Sequence, residues 1–149
     1  MTSAAFCWYD NNPDYKEDYG ALYNWYAVNS NTLCPVGWHV PTQEEWNTLN
    51  TYLGDLAGAK MKDRDERFWA ARYTDCGTDD YGFKARPGGG RSNLDGHFGL
   101  IREVAGWWST TKSITGKIIG IRIQDNFCEQ EVINVNLSAG ISIRCIKDE

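Results

Sequence analysis

Trp46, Leu49 and Leu53 recur at spacings of three and four, the period of one helix face. Thr42 stands where an N-cap is needed, and Glu45 follows three residues on to close a capping box. Glu44 and Glu45 also put negative charge at the positive end of the helix dipole. Gly54 supplies a stop. The pattern predicts a helix over about 42–53, with Leu56 extending its apolar stripe. A shorter helical turn follows over Leu56 to Met61, where alanine and lysine dominate.

Later in the chain the period shortens to two. Ile119, Ile121 and Ile123 share one face of a strand, and Ile133, Val135 and Leu137 alternate with Asn134, Asn136 and Ser138. Ile141, Ile143 and Cys145 alternate with Ser142, Arg144 and Ile146. Further strands are expected over Tyr81 to Arg86 and Gly106 to Thr111, with Pro87-Gly88-Gly89-Gly90 as a loop. Such alternation predicts a twisted antiparallel sheet with one face buried and one wet. One main helix ahead of a late sheet makes the fold class α+β. Residues 1–40 hold neither period for long. They read as irregular chain pinned by aromatic anchors, with one turn of helix around Ala21 to Ala27.

A length of 149 residues fits one domain, 1–149, with enough chain to bury a core. The 13% aromatic content stands out: 7 Trp, 8 Tyr and 5 Phe. A net charge of −5 carries no concentrated basic face, which argues against nucleic acid as a partner. The run Lys62-Asp63-Arg64-Asp65-Glu66-Arg67 alternates in sign and reads as a solvated turn. No apolar stretch approaches the length that would insert into a membrane. The first residues show neither a basic n-region nor an apolar h-region, so no leader is expected in this chain. The five cysteines, Cys7, Cys34, Cys76, Cys128 and Cys145, cannot all pair within one chain, and none forms a CxxC. Bridges plus a free thiol in an exported protein, and five thiols in a cytoplasmic one, both remain open.

Catalytic patterns are sparse. His39 and His97 are far apart and outside any HExxH, and they read as hydrogen-bonded structural residues. There is no GxSxG elbow. Gly88-Gly89-Gly90 lacks a dinucleotide continuation, and Gly54 to Lys60 lacks phosphate-loop spacing. Asp63 with Asp65, and Asp79 with Asp80, would suit a hard cation but match no calcium loop, so acidic surface turns are the plainer account. These patterns imply no metal and no cofactor. Asn136-Leu137-Ser138 forms a glycosylation sequon.

Several strings, in order, carry a resemblance over nearly the whole chain. They are Tyr19-Gly20-Ala21-Leu22-Tyr23-Asn24-Trp25-Tyr26-Ala27-Val28, Leu33-Cys34-Pro35-Val36-Gly37-Trp38-His39-Val40-Pro41-Thr42 and Glu45-Trp46. Asp79-Asp80-Tyr81-Gly82-Phe83, Pro87-Gly88-Gly89 and Arg91 continue the series. Trp107-Trp108-Ser109-Thr110-Thr111 and Ser142-Ile143-Arg144-Cys145-Ile146-Lys147-Asp148 complete it. Together they resemble the Fibrobacter succinogenes major paralogous domain family, which is similar to the C-type lectin-like fold and to formylglycine-generating-enzyme domains. The resemblance implies an exported or surface protein without enzymatic activity. It also implies a disulfide between Cys34 and Cys145, and structural roles for Trp108 and Arg144. The sugar-site tripeptides of calcium-dependent lectins are missing, as is the close cysteine pair of the formylglycine-generating oxidases.

Between the last two motifs, residues 112–139 resemble in layout the altered segment of diversity-generating retroelement variable proteins. There a Trp-Trp-Ser start and a Ser-x-Arg-Cys end bracket a changeable binding surface. On that resemblance, large apolar side chains such as Ile118, Ile119 and Ile121 would face water and Cys128 would be unpaired. The contact set would be Lys112, Ser113, Thr115, Lys117, Asp125, Asn126, Phe127, Glu129, Asn134, Asn136 and Ser138, with Trp107 beside them. The ligand would be a protein or glycan met at a bacterial surface or on a phage particle. The plainer alternative is an ordinary strand pair whose isoleucines are core. For the whole chain, the alternatives are a structural domain of a surface protein and an oxidase of the formylglycine-generating type.

Overall fold

In a computed structural model, residues 2–70 and 77–149 are described. Along the chain run β1 (Phe6–Cys7), α1 (Lys16–Tyr19), β2 (Leu22–Tyr23), α2 (Trp25–Val28), β3 (Trp38–His39), α3 (Gln43–Leu53) and α4 (Ala57–Met61). Then follow β4 (Gly88–Arg91), β5 (Phe98–Ile101), β6 (Val104–Lys112), β7 (Ile118–Gln124), β8 (Gln130–Val135) and β9 (Ile146–Lys147). The class is α+β, and the pairings β1–β2, β3–β9, β4–β5 and β6–β7–β8 are all antiparallel.

Helix α3 forms as its sequence predicts. The Thr42 hydroxyl accepts from the Glu45 N–H, and the Glu45 carboxylate accepts from the Thr42 N–H, closing the capping box. Trp46 and Leu53 are buried. Leu56 is not part of the stripe. It lies beyond the helix with φ 60° and is 51% exposed. The irregular first forty residues are pinned by rings, as expected: Phe6 meets Trp8 edge-on, and Tyr9 meets both Tyr15 and Phe98.

The sheet departs from the predicted one-face burial. Opposite residues share a face, so Ala105, Trp107, Ile121 and Ile123 point one way and Trp108, Ile118, Ile133 and Val135 the other. The first set packs under α3 and α4 with Trp46, Leu53, Ala57 and Met61. The second packs with Trp25, Val28 and Val40. Both faces of β7 are therefore core, and Ile118, Ile119 and Ile121 do not face water. Gly120 is required there, since a Cβ would come within 2.8 Å of Val135 Cγ2 and 3.2 Å of the Trp107 carbonyl oxygen.

Other elements also differ from expectation. The three glycines read as a loop form most of β4, because a Cβ at Gly89 would stand 2.3 Å from the Gly99 carbonyl oxygen of β5. Tyr81 to Arg86 makes only a single bridge, Ala85 to Lys62. The segment from Gly140 to Ser142 touches three different neighbours for one residue each (Arg91, Tyr23 and Trp107), so no strand forms until β9. Lys62 and Asp63 are buried, not solvated: Asp63 accepts from Arg86 Nε at 3.0 Å.

The segment before α3 is clipped to the C-terminal strand. Cys34 and Cys145 form a disulfide, as the resemblance implies. Beside it, His39 lies between two carboxylates, with Nδ1 2.6 Å from Asp148 Oδ1 and Nε2 2.8 Å from Glu45 Oε1. A neutral imidazole has one N–H and can donate to only one of them. The hydrogen bond to Asp148, then that to Glu45, holds the His39 pKa above its ordinary 6.5. A raised folded-state pKa stabilises fully below the unfolded value and is lost as pH rises through the folded one. Denaturation followed as pH rises above the ordinary imidazole value should show a small, salt-sensitive loss of stability that His39→Gln abolishes. An NMR titration placing His39 at or below its ordinary value would contradict the clip.

Candidate functional site

The sequence-derived contact set does not form one surface. Strand β7 is about 20 Å long. Lys112, Ser113, Thr115 and Lys117 gather at the β6–β7 turn at one of its ends, with Asn134 close by, opposite Ile119. Asp125, Asn126, Phe127 and Glu129 form the β7–β8 turn at the other end. Asn136 and Ser138 follow β8, and the Asn136 carboxamide oxygen accepts from the Ser138 N–H. All of these are exposed or half-buried. Trp107 is not: it is 4% exposed and packs between Trp46 and Phe83, so it cannot present a face to a macromolecule.

The β6–β7 turn is lightly held. Ser113 and Thr115 hydroxyls pair with each other, Ile114 projects fully into solvent, and the Lys112 ammonium lies 4.6 Å from the Trp25 ring. Below it, the buried Ser109 hydroxyl donates to the Ile119 carbonyl across the bulge in β6.

The β7–β8 turn is built differently, with its backbone fixed from beneath. The Lys62 ammonium donates to the carbonyls of Asp125 (3.1 Å) and Phe127 (2.9 Å) and lies over the Trp69 ring. The Ala59 N–H donates to the Cys128 carbonyl at 2.8 Å. The Leu56 N–H donates to the Glu129 carboxylate at 3.1 Å. Gly58 permits the approach, since a Cβ there would come within 2.6 Å of the Glu129 carbonyl oxygen. Cys128 is disulfide-bonded, which corrects the expectation of a free thiol. Of the described cysteines only Cys7 is free, and Cys76 lies outside the described residues.

On this fixed backbone the Phe127 ring remains 49% exposed and Asn126 is open to solvent. Leu56 and Val132, about half exposed, flank the same end of the sheet. On the opposite face, Arg122 holds the Glu131 carboxyl below the usual carboxylate range, partly offset by burial, and Gln124 also donates to it. Sequence reasoning missed Lys62, Gly58, Leu56 and Val132. A glycine inside the short α4 pattern was a readable sign of close backbone approach; nothing in the local sequence marks Lys62 as buried.

Three of the four aspartates of the acidic pairs have partners among the described residues, Asp79 accepting from the Lys84 N–H. Asp63 holds Arg86, and Asp65 accepts from Arg67 in a forked pair. Among the described residues no three His, Cys, Asp or Glu side chains come together as a metal site. Nor is any described helix long and apolar enough to cross a membrane.

The fold and this arrangement define a disulfide-closed α+β domain that carries loops on a buried sheet. The family model of the Fibrobacter succinogenes major domain matches residues 1–147, and the chain belongs to that family. No curated protein and no solved structure matches it.

Proposed function

We propose that this is a non-enzymatic binding domain of C-type lectin-like architecture, working outside the cell or on a phage particle. The β7–β8 turn would be its contact loop. One observation carries the reading: residues 125–129 have their backbone tied to α4 and to buried Lys62, while Asn126 and Phe127 stay exposed. A loop already fixed loses little entropy on binding, and an aromatic ring offers large contact area with few rotors to freeze. The Cys34–Cys145 disulfide and the bonded Cys128 favour an oxidising compartment. The ligand is a protein or glycan surface.

We propose retroelement diversification for residues 112–139, which include this turn. Its support is that the exposed positions of 112–139 are turns and edge positions, which tolerate change at little cost to packing. Neighbouring DNA with a reverse-transcriptase gene and a near-repeat differing at adenines would bear it out.

The binding reading is tested on arrays of glycans and bacterial surface proteins, comparing the wild type with the double variant Asn126→Ser, Phe127→Ser. Specific signals should fall at least tenfold in the variant while its melting temperature stays within a few degrees. Signals that persist unchanged in the variant, or no specific signal from the wild type, overturn the assignment of this loop.

A further inference from the structure

A cleft lies away from both turns. It has a volume of about 290 Å³ and is lined by Asp18, Tyr19, Lys84, Arg86, Trp107, Ser142, Ile143 and Arg144. Unused hydrogen-bonding groups converge on it. Arg144 donates through Nη2 to the Phe83 carbonyl at 2.6 Å, and its guanidinium stacks 4.3 Å from the Phe83 ring. Its remaining donors have no partner among the described residues, and no carboxylate there lies within ion-pair distance of it or of Lys84. The Ser142 hydroxyl is likewise without a hydrogen-bond partner.

Arg86 differs: Asp63 neutralises it from behind, and it also donates to the Asp18 carbonyl at 3.1 Å. Asp18 Oδ1 lies 3.9 Å from Arg86 Nη1, and Asp18 is the one acid among the residues that line the cleft. Burial against the ring draws the Arg144 pKa down, and the more distant Asp79 pulls it back up. A guanidinium held flat against a ring, with donors left over, can grip a carboxylate through two parallel hydrogen bonds.

We propose that this cleft binds a sugar acid, a hexuronate-type unit whose carboxylate is held by Arg144 and Lys84 and whose hydroxyls meet Ser142 and Asp18. The volume is at the lower bound of small-molecule sites, about 300 Å³, and suits one ring rather than a chain of them. Trp107, too buried to meet a macromolecule, and Ile143 give the cleft its apolar wall. Lone inorganic anions would use the cations but leave Asp18 facing a like charge.

The test is calorimetric titration of the intact, oxidised protein with sodium glucuronate and galacturonate. Glucose, galactose, sodium sulfate and sodium phosphate serve as comparison arms. A uronate should bind at least about tenfold more tightly than its neutral parent sugar, the scale of one charge-assisted hydrogen bond. Arg144→Gln should erase that difference. Lys84→Gln, at an exposed turn position, should reduce it several-fold with the melting temperature unchanged. The proposal is overturned if uronate and parent sugar bind alike, if neither binds, if sulfate or phosphate matches the uronate, or if a folded Lys84→Gln binds uronate as the wild type does.

Discussion

Replacing Cys34 and Cys145 together by alanine should lower the free energy of unfolding by about 4–5 kcal/mol, the loop-closure value for a bridge spanning 111 residues. The bridge ties the segment before β3 to the segment before β9, and those two short strands pair over only two residues each. Without it, the two segments are joined by the Trp38–Lys147 and His39–Ile146 pairing, the Asp148 N–H donating to the Gly37 carbonyl, and the His39 clip. A loss of that size is a large share of the 5–15 kcal/mol typical of a domain. Urea unfolding of the double variant beside the oxidised wild type measures it. A difference below about 1 kcal/mol would mean that the two segments are held together without help from the bridge.

The second large effect is expected at Trp108. Its indole is fully buried against Trp25, Val40 and Ile118, and its N–H donates to the Tyr23 carbonyl at 2.7 Å. Trp108→Ala should cost about 3–5 kcal/mol, as large-to-small core substitutions do. Trp108→Phe retains most of the apolar contact but leaves the hydrogen bond unmade, so about 1–2 kcal/mol is expected. Equal losses for the two variants would show that the ring's volume matters little and that the hydrogen bond alone holds β2 to the sheet. Neighbouring Trp107 points to the opposite face, so one dipeptide anchors both layers of the core.

Much of this was readable along the chain, for identifiable reasons. Helix α3 carries its signals locally: a capping box, an apolar stripe and a terminal glycine. The tie between Cys34 and Cys145 came from resemblance, because spacing alone does not choose among five cysteines. The same ambiguity hid the bonded state of Cys128. Burial of both sheet faces was partly legible: Ile118-Ile119-Gly120-Ile121 is a continuous apolar run, the pattern of a strand covered on each side. Alternation in β8 suggested a wet face because β8 is the edge strand, where Val132 and Asn134 lie outside the cover of α3 and α4. The contact set split in two because sequence order says nothing of which end of a strand a turn occupies. The Lys62 ammonium under the β7–β8 turn depends on contacts 63 and 65 residues away, beyond any local pattern.

The shape of the β7–β8 turn is set from below, by Lys62 and α4, so changes at Asn126 and Phe127 should leave the fold standing. Thermal melting of Asn126→Ser, Phe127→Ser beside Lys62→Met separates the two most directly. The surface pair should melt within a few degrees of the wild type, whereas loss of the buried ammonium, which strands two carbonyls, should lower the midpoint by roughly 5 °C or more. If the surface pair unfolds the domain, or Lys62→Met melts with the wild type, the turn is not a loop held ready from beneath.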